Sequence, residues 1–574
     1  MSNKMNFSTS FSLLYPEGSS QASSGRNHLH PDAARDLGLS ALVLACDPSA
    51  EHRQEIETIL THLPQDLQVI RYRQAVLADL QRFPELTARI AALMPTIDTL
   101  GRYAYRVVKD MTTLHEVTWR MGELQSIVDC LEGLGDVFAR TGSQIESQGM
   151  RRLQASIEQV RADPEYRRLV KELPGMLGSL RAAASVTIGV NLDQYLRPVE
   201  ATLLSVNDKK FTTQSMLGKL FGKKVTAREG LTPLHTVPRR EVNGPYALPV
   251  DPELGWAVEP LMVPLFRDLA NVIEKITQPL AQELKRYTNL HSEMFVSLRQ
   301  DLIFYLGLLR LVERLRAYNL PVCLPELAPM EERLCRVEGA YNANLALHLA
   351  DTDLDADLSE QIVRNDLEMG PGGRILILTG PNRGGKTTFI QAVGLIQVLA
   401  QCGGLVPGSQ ARISPVDNIY SHFPIEEQPD ADTGRFGYEA RRLSEIFRHV
   451  TRASLVLLNE TLSSTNASES IYLAQDVVRI LRRLGARAIY STHMHELAET
   501  VAAMNEDTPG DSRIVSVVAS PVYAEPDDGR DIQRSYRIEY RPPMGRSYAR
   551  EVAERYGIGY QQLERLLSER GLLK

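Results

Sequence analysis

A glycine-rich loop that could bind phosphate lies between a short apolar strand and a helix. The strand covers residues 375–379, and residues 380–387 match the pattern G-x-x-x-x-G-K-[ST]. Glycines let backbone N–H groups approach phosphate oxygens, and the N-terminus of the next helix adds partial positive charge. Lys386 would reach the outer phosphates, and the Thr387 hydroxyl would ligate Mg²⁺. The predicted phosphate-binding residues are Gly380, Pro381, Asn382, Arg383, Gly384, Gly385, Lys386, Thr387 and Thr388.

A second strand delivers polar side chains of the kind that such a loop requires. Residues 455–458 are apolar and are followed by Asn459 and Glu460. Glu460 is the predicted general base, because a carboxylate there can orient and polarise the water that attacks a γ-phosphate. Asn459 takes a position that an aspartate usually holds. Its amide oxygen can accept a hydrogen bond from metal-bound water but has no charge, so we expect weakened Mg²⁺ binding.

A third strand, residues 488–491, is followed by His493. A histidine at that point can hydrogen-bond a γ-phosphate, so His493 is a predicted catalytic residue that senses the phosphate. The alternative is a metal site made with His495. The spacing does not favour it, because these two histidines are two residues apart and no third ligand is evident.

Length and composition indicate a multidomain protein of the cytoplasm. The chain has 574 residues, 43% hydrophobic residues and a net charge of -7. It has no run of 18 apolar residues, so we expect no membrane span, and its first residues lack the apolar segment of a secretory signal. The five cysteines are scattered without a C-x-x-C pair, which is typical of a reducing compartment.

The order of elements predicts a long helical lever or core region followed by an α/β phosphate-loop domain. Residues 49–184 show helical periodicity, and residues 185–196 read as strand. Residues 280–320 predict one helix of about 60 Å at ~1.5 Å per residue, a stiff strut. After residue 336, strands and helices alternate, as in a mainly parallel sheet covered by helices.

These segments together resemble the MutS family of DNA mismatch repair ATPases. Upstream, residues 70–80 and 301–315 are similar to the start and the returning helix of that family's lever core. The segments that carry the resemblance are TGPNRGGKTT (379–388), VRNDL (363–367), SLVLLNETLSST (454–465), STHMHEL (491–497) and GRSYAREVAERYGI (545–558).

The resemblance implies three domains and a homodimer that binds ATP and Mg²⁺. Residues 1–62 would be an N-terminal arm or connector. Residues 63–336 would form the helical lever core, with a small clamp-like insertion at about 197–260. Residues 337–574 would form an ABC-type ATPase domain that ends in a helical dimerisation tail. In such a dimer each active site is completed by the partner subunit, and Glu469 would be an acid at the interface.

The family's signature segment, ordinarily STF-x-x-E, reads GRFGYE at residues 434–439. Phe436 and Glu439 match the family pattern. Gly434 stands where the family has the serine that caps the partner's γ-phosphate. Our hypothesis is that Arg435, next to it, acts in trans as a substitute charged donor.

The family's mismatch reader is an N-terminal domain with an F-x-E wedge. Only about 60 residues precede the lever-like helices, and the one F-x-E is Phe83-Pro84-Glu85, whose context is typical of a helix break. We therefore expect no mismatch recognition in this chain. The basic segment in the place of the DNA clamp could bind backbone phosphates without reading bases, or could be a solvated loop. Its candidate residues are Lys209, Lys210, Lys219, Lys223, Lys224, Arg228, Arg239 and Arg240.

The function expected from the resemblance is that of an ATP-dependent, DNA-binding ATPase in which closure of lever arms clamps DNA during repair or recombination. Because Glu460 is present, we expect slow ATP hydrolysis. Asn459 and Gly434 leave open a site that binds ATP as a switch with weak hydrolysis. The alternative is an ATP-switched scaffold or signalling ATPase whose arms hold a protein partner, and the acidic net charge favours it. A transporter-associated ATPase is not favoured, because such a protein has no reason to carry long helical levers.

Overall fold

The structure is a computed structural model. It describes residues 12–19, 28–104, 114–181, 185–192, 194, 198–207, 209, 280–287, 293–352, 357–381, 383–424, 434–521, 534–543 and 557–572. The described residues form two compact units. The first takes those of Ala88–Gln144 and Arg152–Arg299, and the second takes those of Ser12–Thr87, Ile145–Arg151 and Gln300–Lys574. The predicted domain boundaries remain predictions.

The first part of the chain is helical and ends in one antiparallel hairpin, β1–β2. The helical periodicity of residues 49–184 is confirmed for the described residues, and the strand expected at 185–196 is confirmed over Ser185–Leu192. The elements are α1 (Pro31–Asp36), α2 (Leu39–Cys46), α3 (Ala50–Leu60), α4 (Leu67–Arg82), α5 (Pro84–Ala104), α6 (Leu114–Thr141), α7 (Gln148–Ala162), α8 (Pro164–Arg181), β1 (Ser185–Leu192) and β2 (Pro198–Asn207).

The second part alternates strands with helices. Its elements are α9 (Glu293–Ala317), β3 (Val322–Cys323), β4 (Glu326–Leu327), β5 (Cys335–Ala340), α10 (Ala343–Thr352), α11 (Leu358–Gln361), β6 (Asn365–Met369), β7 (Ile375–Thr379), α12 (Lys386–Gln401), β8 (Val406–Pro407), β9 (Gln410–Ile413), β10 (Ile419–His422), α13 (Gly434–His449), β11 (Leu455–Asn459), α14 (Ala467–Leu484), β12 (Arg487–Ser491), α15 (His495–Glu499), α16 (Val501–Asp507), β13 (Ile514–Pro521), β14 (Arg534–Glu539) and α17 (Tyr560–Glu569).

The predicted single helix over residues 280–320 is wrong. A helical stretch at 280–284 passes into a 3₁₀ turn at Lys285–Tyr287, and α9 alone is about 38 Å long. The break follows from the buried Tyr287. Its carbonyl accepts a hydrogen bond from the Arg120 guanidinium, and its hydroxyl donates to Glu172 Oε2 at 2.6 Å. These side-chain bonds satisfy polar groups at the end of the helical turn.

The first unit has its own apolar core within the described residues, built by α6, α8 and residues from Leu280 to the end of the 3₁₀ turn at Tyr287. Apolar side chains three and four positions apart place one face of each helix inside it. This core contains Val117, Met121, Leu124, Leu169, Leu173, Met176, Leu280, Ala281, Leu284 and Tyr287. No helix in the described part of the chain is long and apolar enough to cross a membrane.

The second unit is organised around a six-stranded sheet with the strand order β10-β11-β12-β7-β13-β14. The first five strands run parallel, and β14 is antiparallel to β13. Every residue of β7, β11 and β12 is buried, as expected for strands covered on both faces. The chain is therefore a mixed helix and sheet protein in which three central strands end at one edge.

The N-terminal segment, predicted as an arm, contributes α1 to α3 to this second unit. Ser421 Oγ at the end of β10 donates to Asp36 Oδ2 at 2.7 Å, which fixes α1 beside the edge strand. Further upstream, Leu13 and Leu14 are buried. The Leu13 N–H donates to the buried Asp301 carboxylate at 2.6 Å, and the Leu13 carbonyl accepts from Tyr305 at 2.8 Å.

The helix break expected at Phe83-Pro84-Glu85 is confirmed. α4 ends at Arg82, α5 begins at Pro84, and Phe83 is the buried residue between them. The Phe83 ring lies under the Arg82 guanidinium at 5.5 Å from the ring centroid. A phenylalanine in that position packs inside the protein, so its surroundings explain it without a role in base recognition.

Candidate functional site

The predicted site residues meet at the carboxyl edge of the sheet. The glycine-rich loop follows β7, Asn459 ends β11 and is followed by Glu460, and His493 is the second residue after β12. Because β11, β12 and β7 are neighbours in the parallel sheet, their ends lie side by side. Ligands bind at this edge in open α/β sheets.

The loop between β7 and α12 has a backbone that demands glycine. Gly380 and Gly385 have φ angles of 144° and 88°, and a Cβ at Gly380 would lie 2.8 Å from the Ala519 carbonyl oxygen. Arg383 also has a positive φ, 61°, and its side chain is exposed. Asn382 lies outside the described residues. The loop thus presents its backbone closely to any ligand at the start of α12.

Lys386, the first residue of α12, is buried and turns its ammonium toward its own loop. Its Nζ donates to the carbonyl oxygens of Gly380 at 3.0 Å and Pro381 at 3.2 Å. It also pairs with Glu460 Oε1 at 3.3 Å. A phosphate oxygen is a stronger partner for an ammonium than a neutral carbonyl, so this lysine can exchange its loop contacts for phosphate contacts.

Glu460 links the phosphate loop to His493. Its backbone is left-handed, with φ 49°, and its N–H donates to the Ser491 carbonyl at 2.9 Å, so the turn after β11 is held against β12. Of its two carboxylate oxygens, Oε1 faces Lys386 and Oε2 accepts from His493 Nδ1 at 2.8 Å. Backbone strain of this kind is concentrated at functional sites.

The pKa values of Glu460 and His493 shift in opposite directions. Burial raises the pKa of Glu460, but the hydrogen bond from His493 and the charge of Lys386 outweigh it, so the net pKa is lowered. The same hydrogen bond raises the pKa of His493 above its ordinary 6.5. The carboxylate is therefore kept ionised and the imidazole is favoured in its protonated form.

Asn459 contacts Thr387, the residue predicted to ligate Mg²⁺. Asn459 Nδ2 donates to Thr387 Oγ1 at 3.1 Å, while Asn459 Oδ1 is buried without a hydrogen-bond partner in the described part of the chain. The amide N–H thus occupies the hydroxyl oxygen that a metal would use. The two residues supply neutral oxygens and no carboxylate, so they fit Mg²⁺ poorly. Among the residues described, no three His, Cys, Asp or Glu side chains form a metal-binding group.

A cavity of about 780 Å³ contains this site and is large enough for a nucleotide. Its lining includes Lys386, Thr387, Asn459, Glu460 and His493. Other lining residues were missed by sequence reasoning, because they come from distant segments whose local patterns do not indicate a ligand. They include Tyr341, Asn342, Leu345, Ile362 and Tyr536.

The VRNDL segment (363–367), which contributes to the resemblance, connects β6 to β14. Asn365 Nδ2 donates to the Tyr536 carbonyl at 3.1 Å, and Asn365 Oδ1 accepts from the Ile538 N–H at 2.8 Å. Asn365 therefore ties β6 to β14 and holds Tyr536 at the cavity. A polar residue at the start of a short strand was the only sequence signal for this tie.

The predicted signature residues lie at the start of α13. Gly434 has φ 67°, and the Arg435 guanidinium pairs with the buried Glu439 carboxylate at 3.6 Å. Arg435 lines the cavity of its own chain. Of the candidate DNA contacts, Lys209 is exposed. The rest lie outside the described residues: Lys210, Lys219, Lys223, Lys224, Arg228, Arg239 and Arg240.

Two protein-family models match the chain: MutS domain V over residues 376–565 and the MutS2 N-terminal domain over residues 65–318. The DNA mismatch repair protein MutS of Chloroflexus aurantiacus is 30% identical over 332 residues, which cover 54% of this chain and 33% of that protein. The MutS of Sorangium cellulosum is 31% identical over 298 residues, covering 51% and 30%. This chain thus spans about a third of the length of such curated relatives.

The Glu460–His493 hydrogen bond predicts a measurable titration. We expect the NMR titration of His493 to give a pKa above 6.5, and Glu460→Gln to lower it, because the charged acceptor is removed. The raised pKa of His493 adds to the free energy of unfolding. This contribution is fully present below the pKa of His in the unfolded chain and is lost as pH rises through the raised pKa of the folded protein. The contribution of the lowered Glu460 pKa is present above the pKa of Glu in the unfolded chain and is lost as pH falls through the lowered pKa of the folded protein.

His495 is the internal control for that titration. Burial lowers its pKa, and its other influences are Glu496, Lys386, Glu499 and His493 rather than Glu460. Its resonance should therefore move much less in the Glu460→Gln variant. An unchanged His493 titration would show that the contact does not exist in solution.

Asn459→Asp should strengthen Mg²⁺ binding in the presence of nucleotide. The substitution replaces an N–H donor toward Thr387 with a carboxylate that accepts the hydroxyl proton and leaves an oxygen lone pair for the metal. We expect a gain of roughly tenfold or more, measured by Mg²⁺ titration of nucleotide binding. Asn466→Asp, at the exposed cap of α14, is the matched control, and a gain equal to that control would contradict our account of Asn459.

Proposed function

The chain belongs to the MutS family, and from that premise we propose that it is an ATP-dependent DNA-binding protein. ATP binding and slow hydrolysis would drive closure of a dimeric lever-arm clamp on DNA, in repair or recombination. The observation that carries the proposal is the contact chain Lys386–Glu460–His493, which joins the start of α12, after the glycine-rich loop, to the turns that follow β11 and β12.

In this proposal the loop residues 380–385 and the start of α12 bind the phosphates of ATP. Backbone N–H groups and the helix N-terminus attract the phosphates, and the Lys386 ammonium can exchange its contacts with the loop carbonyls for contacts with phosphate oxygens. Tyr341 and Tyr536 would contact the base or the sugar, because their aromatic rings line the same cavity. Thr387 and Asn459 would hold Mg²⁺ only weakly.

Glu460 would act as the general base for hydrolysis. The attacking water gives a proton to Glu460 as the bond from the γ-phosphorus to the leaving oxygen breaks, which yields ADP and phosphate. In the structure both Glu460 oxygens are already engaged and its pKa is lowered, so its basicity is reduced. These features support slow hydrolysis. His493, protonated and next to Glu460, can donate a hydrogen bond to the γ-phosphate.

The domain plan and the dimer are part of the proposal. The levers would be residues 63–336, with the clamp-like insertion at about 197–260 and its basic residues 209–240 on DNA backbone phosphates. The ATPase domain would be residues 337–574, and the segment from Gly434 through Arg435 to Glu439 would lie at the interface with the partner subunit. Tyr560, Leu563 and Leu566 are exposed on α17, which supports a dimerisation role for the tail. We place the protein in the cytoplasm.

The second candidate function is an ATP-switched scaffold or signalling ATPase whose arms hold a protein partner. The observation that favours it is the net charge of -7, since DNA-binding surfaces are basic. Both functions use the same nucleotide site, so only the ligand of the arms separates them.

Glu460→Gln should lower kcat for ATP hydrolysis by about 10²–10⁴-fold while ATP still binds, because the proton acceptor is lost and the phosphate loop is not. Steady-state phosphate release would be measured with and without linear, branched and mismatched duplexes. Stimulation of the wild type by one DNA structure is expected. Glu499→Gln, an exposed carboxylate of α15, is the control, and equal rates in both variants would refute the role of Glu460.

Duplex binding should weaken steeply with salt if the basic segment contacts phosphates. Replacement of the eight basic residues between 209 and 240 by Gln should reduce the slope of log K against log salt by up to about 0.9 per lost phosphate contact. Fluorescence anisotropy at several salt concentrations would measure the slope. Arg565→Gln, exposed on α17, is the control. DNA binding that is absent or insensitive to the replacement would favour the protein-partner function.

A further inference from the structure

The cavity carries an excess of positive charge in one chain. Its lining includes three cationic side chains, Arg383, Lys386 and Arg435, and one carboxylate, Glu460. With His493 protonated, and with Glu439 counted because it pairs with Arg435, these groups leave two net positive charges. Such a site attracts an anion with several negative charges before any metal ion is considered.

Arg383 is placed on the phosphate loop itself. It sits in the left-handed region between Pro381 and Gly384, and its side chain is exposed at the cavity. Within the part of the chain that the structure describes, it makes no hydrogen bond or ion pair. A guanidinium on the loop whose N–H groups cradle phosphates is within the reach of the same phosphates.

Arg435 is held at the cavity by contacts within its own chain. Its guanidinium pairs with the buried Glu439 one turn along α13. The helix is itself fixed from the N-terminal segment, because Arg442 pairs with Asp32 at 3.1 Å and contacts the Ser421 carbonyl. The orientation of α13 is therefore supported by contacts within the same chain.

The residues that would bind Mg²⁺, Thr387 and Asn459, are weak ligands for it. Asn459 brings no charge, and its N–H occupies Thr387 Oγ1. A triphosphate without a divalent ion keeps the full charge of its phosphates, which neutral oxygens cannot offset. Guanidinium groups can offset it, with bidentate hydrogen bonds to phosphate oxygens.

We propose that Arg383 and Arg435 act with Lys386 as same-chain cations for a nucleoside triphosphate, so that ATP binds without a divalent ion. The inference rests on the proposed nucleotide site, and it states which side chains offset the negative charge of the triphosphate. It replaces a trans role for Arg435 with a role in its own chain. Nucleotide binding is thereby separated from metal binding, which remains a requirement of hydrolysis alone.

The test is equilibrium binding of ATP to the full chain in EDTA and in excess MgCl₂. The two dissociation constants should differ by less than about tenfold in the wild type. Arg383→Gln and Arg435→Gln should each weaken binding in EDTA by about tenfold or more, because each removes a charge-assisted hydrogen bond. Both losses should be smaller in MgCl₂, where the ion takes over part of the charge.

Arg441→Gln is the matched control, since it is an exposed arginine of α13 that does not line the cavity. Its affinity in EDTA should equal that of the wild type. Circular dichroism and thermal unfolding would establish that the variants are folded. The EDTA measurement repeated at protein concentrations a hundredfold apart should give one affinity if the cations act within a single chain.

The outcomes separate this inference from the proposed function. Absence of ATP binding in both buffers would overturn the proposed function. Binding that requires MgCl₂ would overturn the inference and leave the function standing. Arginine variants that bind like Arg441→Gln, or an affinity that disappears on dilution, would overturn the assignment of these cations to the same chain.

Discussion

The contact of one carboxylate with two cations organises the candidate site. Glu460 reaches Lys386 with one oxygen and His493 with the other, so the start of α12 and the turns after β11 and β12 are joined by charge at one edge of the sheet. The strained turn at Glu460 places it there, and the Ser491 carbonyl holds that turn. Without this arrangement the ammonium would be a buried charge with neutral partners only, which is costly.

The local geometry of the site could be predicted from the sequence, because it follows from short-range rules. The strand before the phosphate loop, the apolar strand before Asn459 and Glu460, and the strand before His493 all lie where the sequence pattern places them. Each of these features depends on a few consecutive residues.

Features that depend on distant residues could not be predicted. The 3₁₀ turn at Lys285–Tyr287 is stabilised by Arg120 and Glu172, which are far away in sequence. The nucleotide cavity takes Tyr341 and Tyr536 from separate segments, and the hydrogen bond between Asn459 and Thr387 depends on which end of the amide faces the hydroxyl. Hydrophobic periodicity indicates which face of an element is buried, but it does not indicate which residues pack against that face.

The anchoring of the N-terminal segment has a practical consequence. The buried Asp301 has its pKa raised to about 6 by burial, even though Ser12 Oγ and the Leu13 N–H both donate to it. Removal of residues 12–14 would leave that carboxylate without these donors, and the Tyr305 hydroxyl would lose its acceptor. Truncation at this end therefore removes interior hydrogen bonds, whereas at the other end of the chain no residue of α17 is buried.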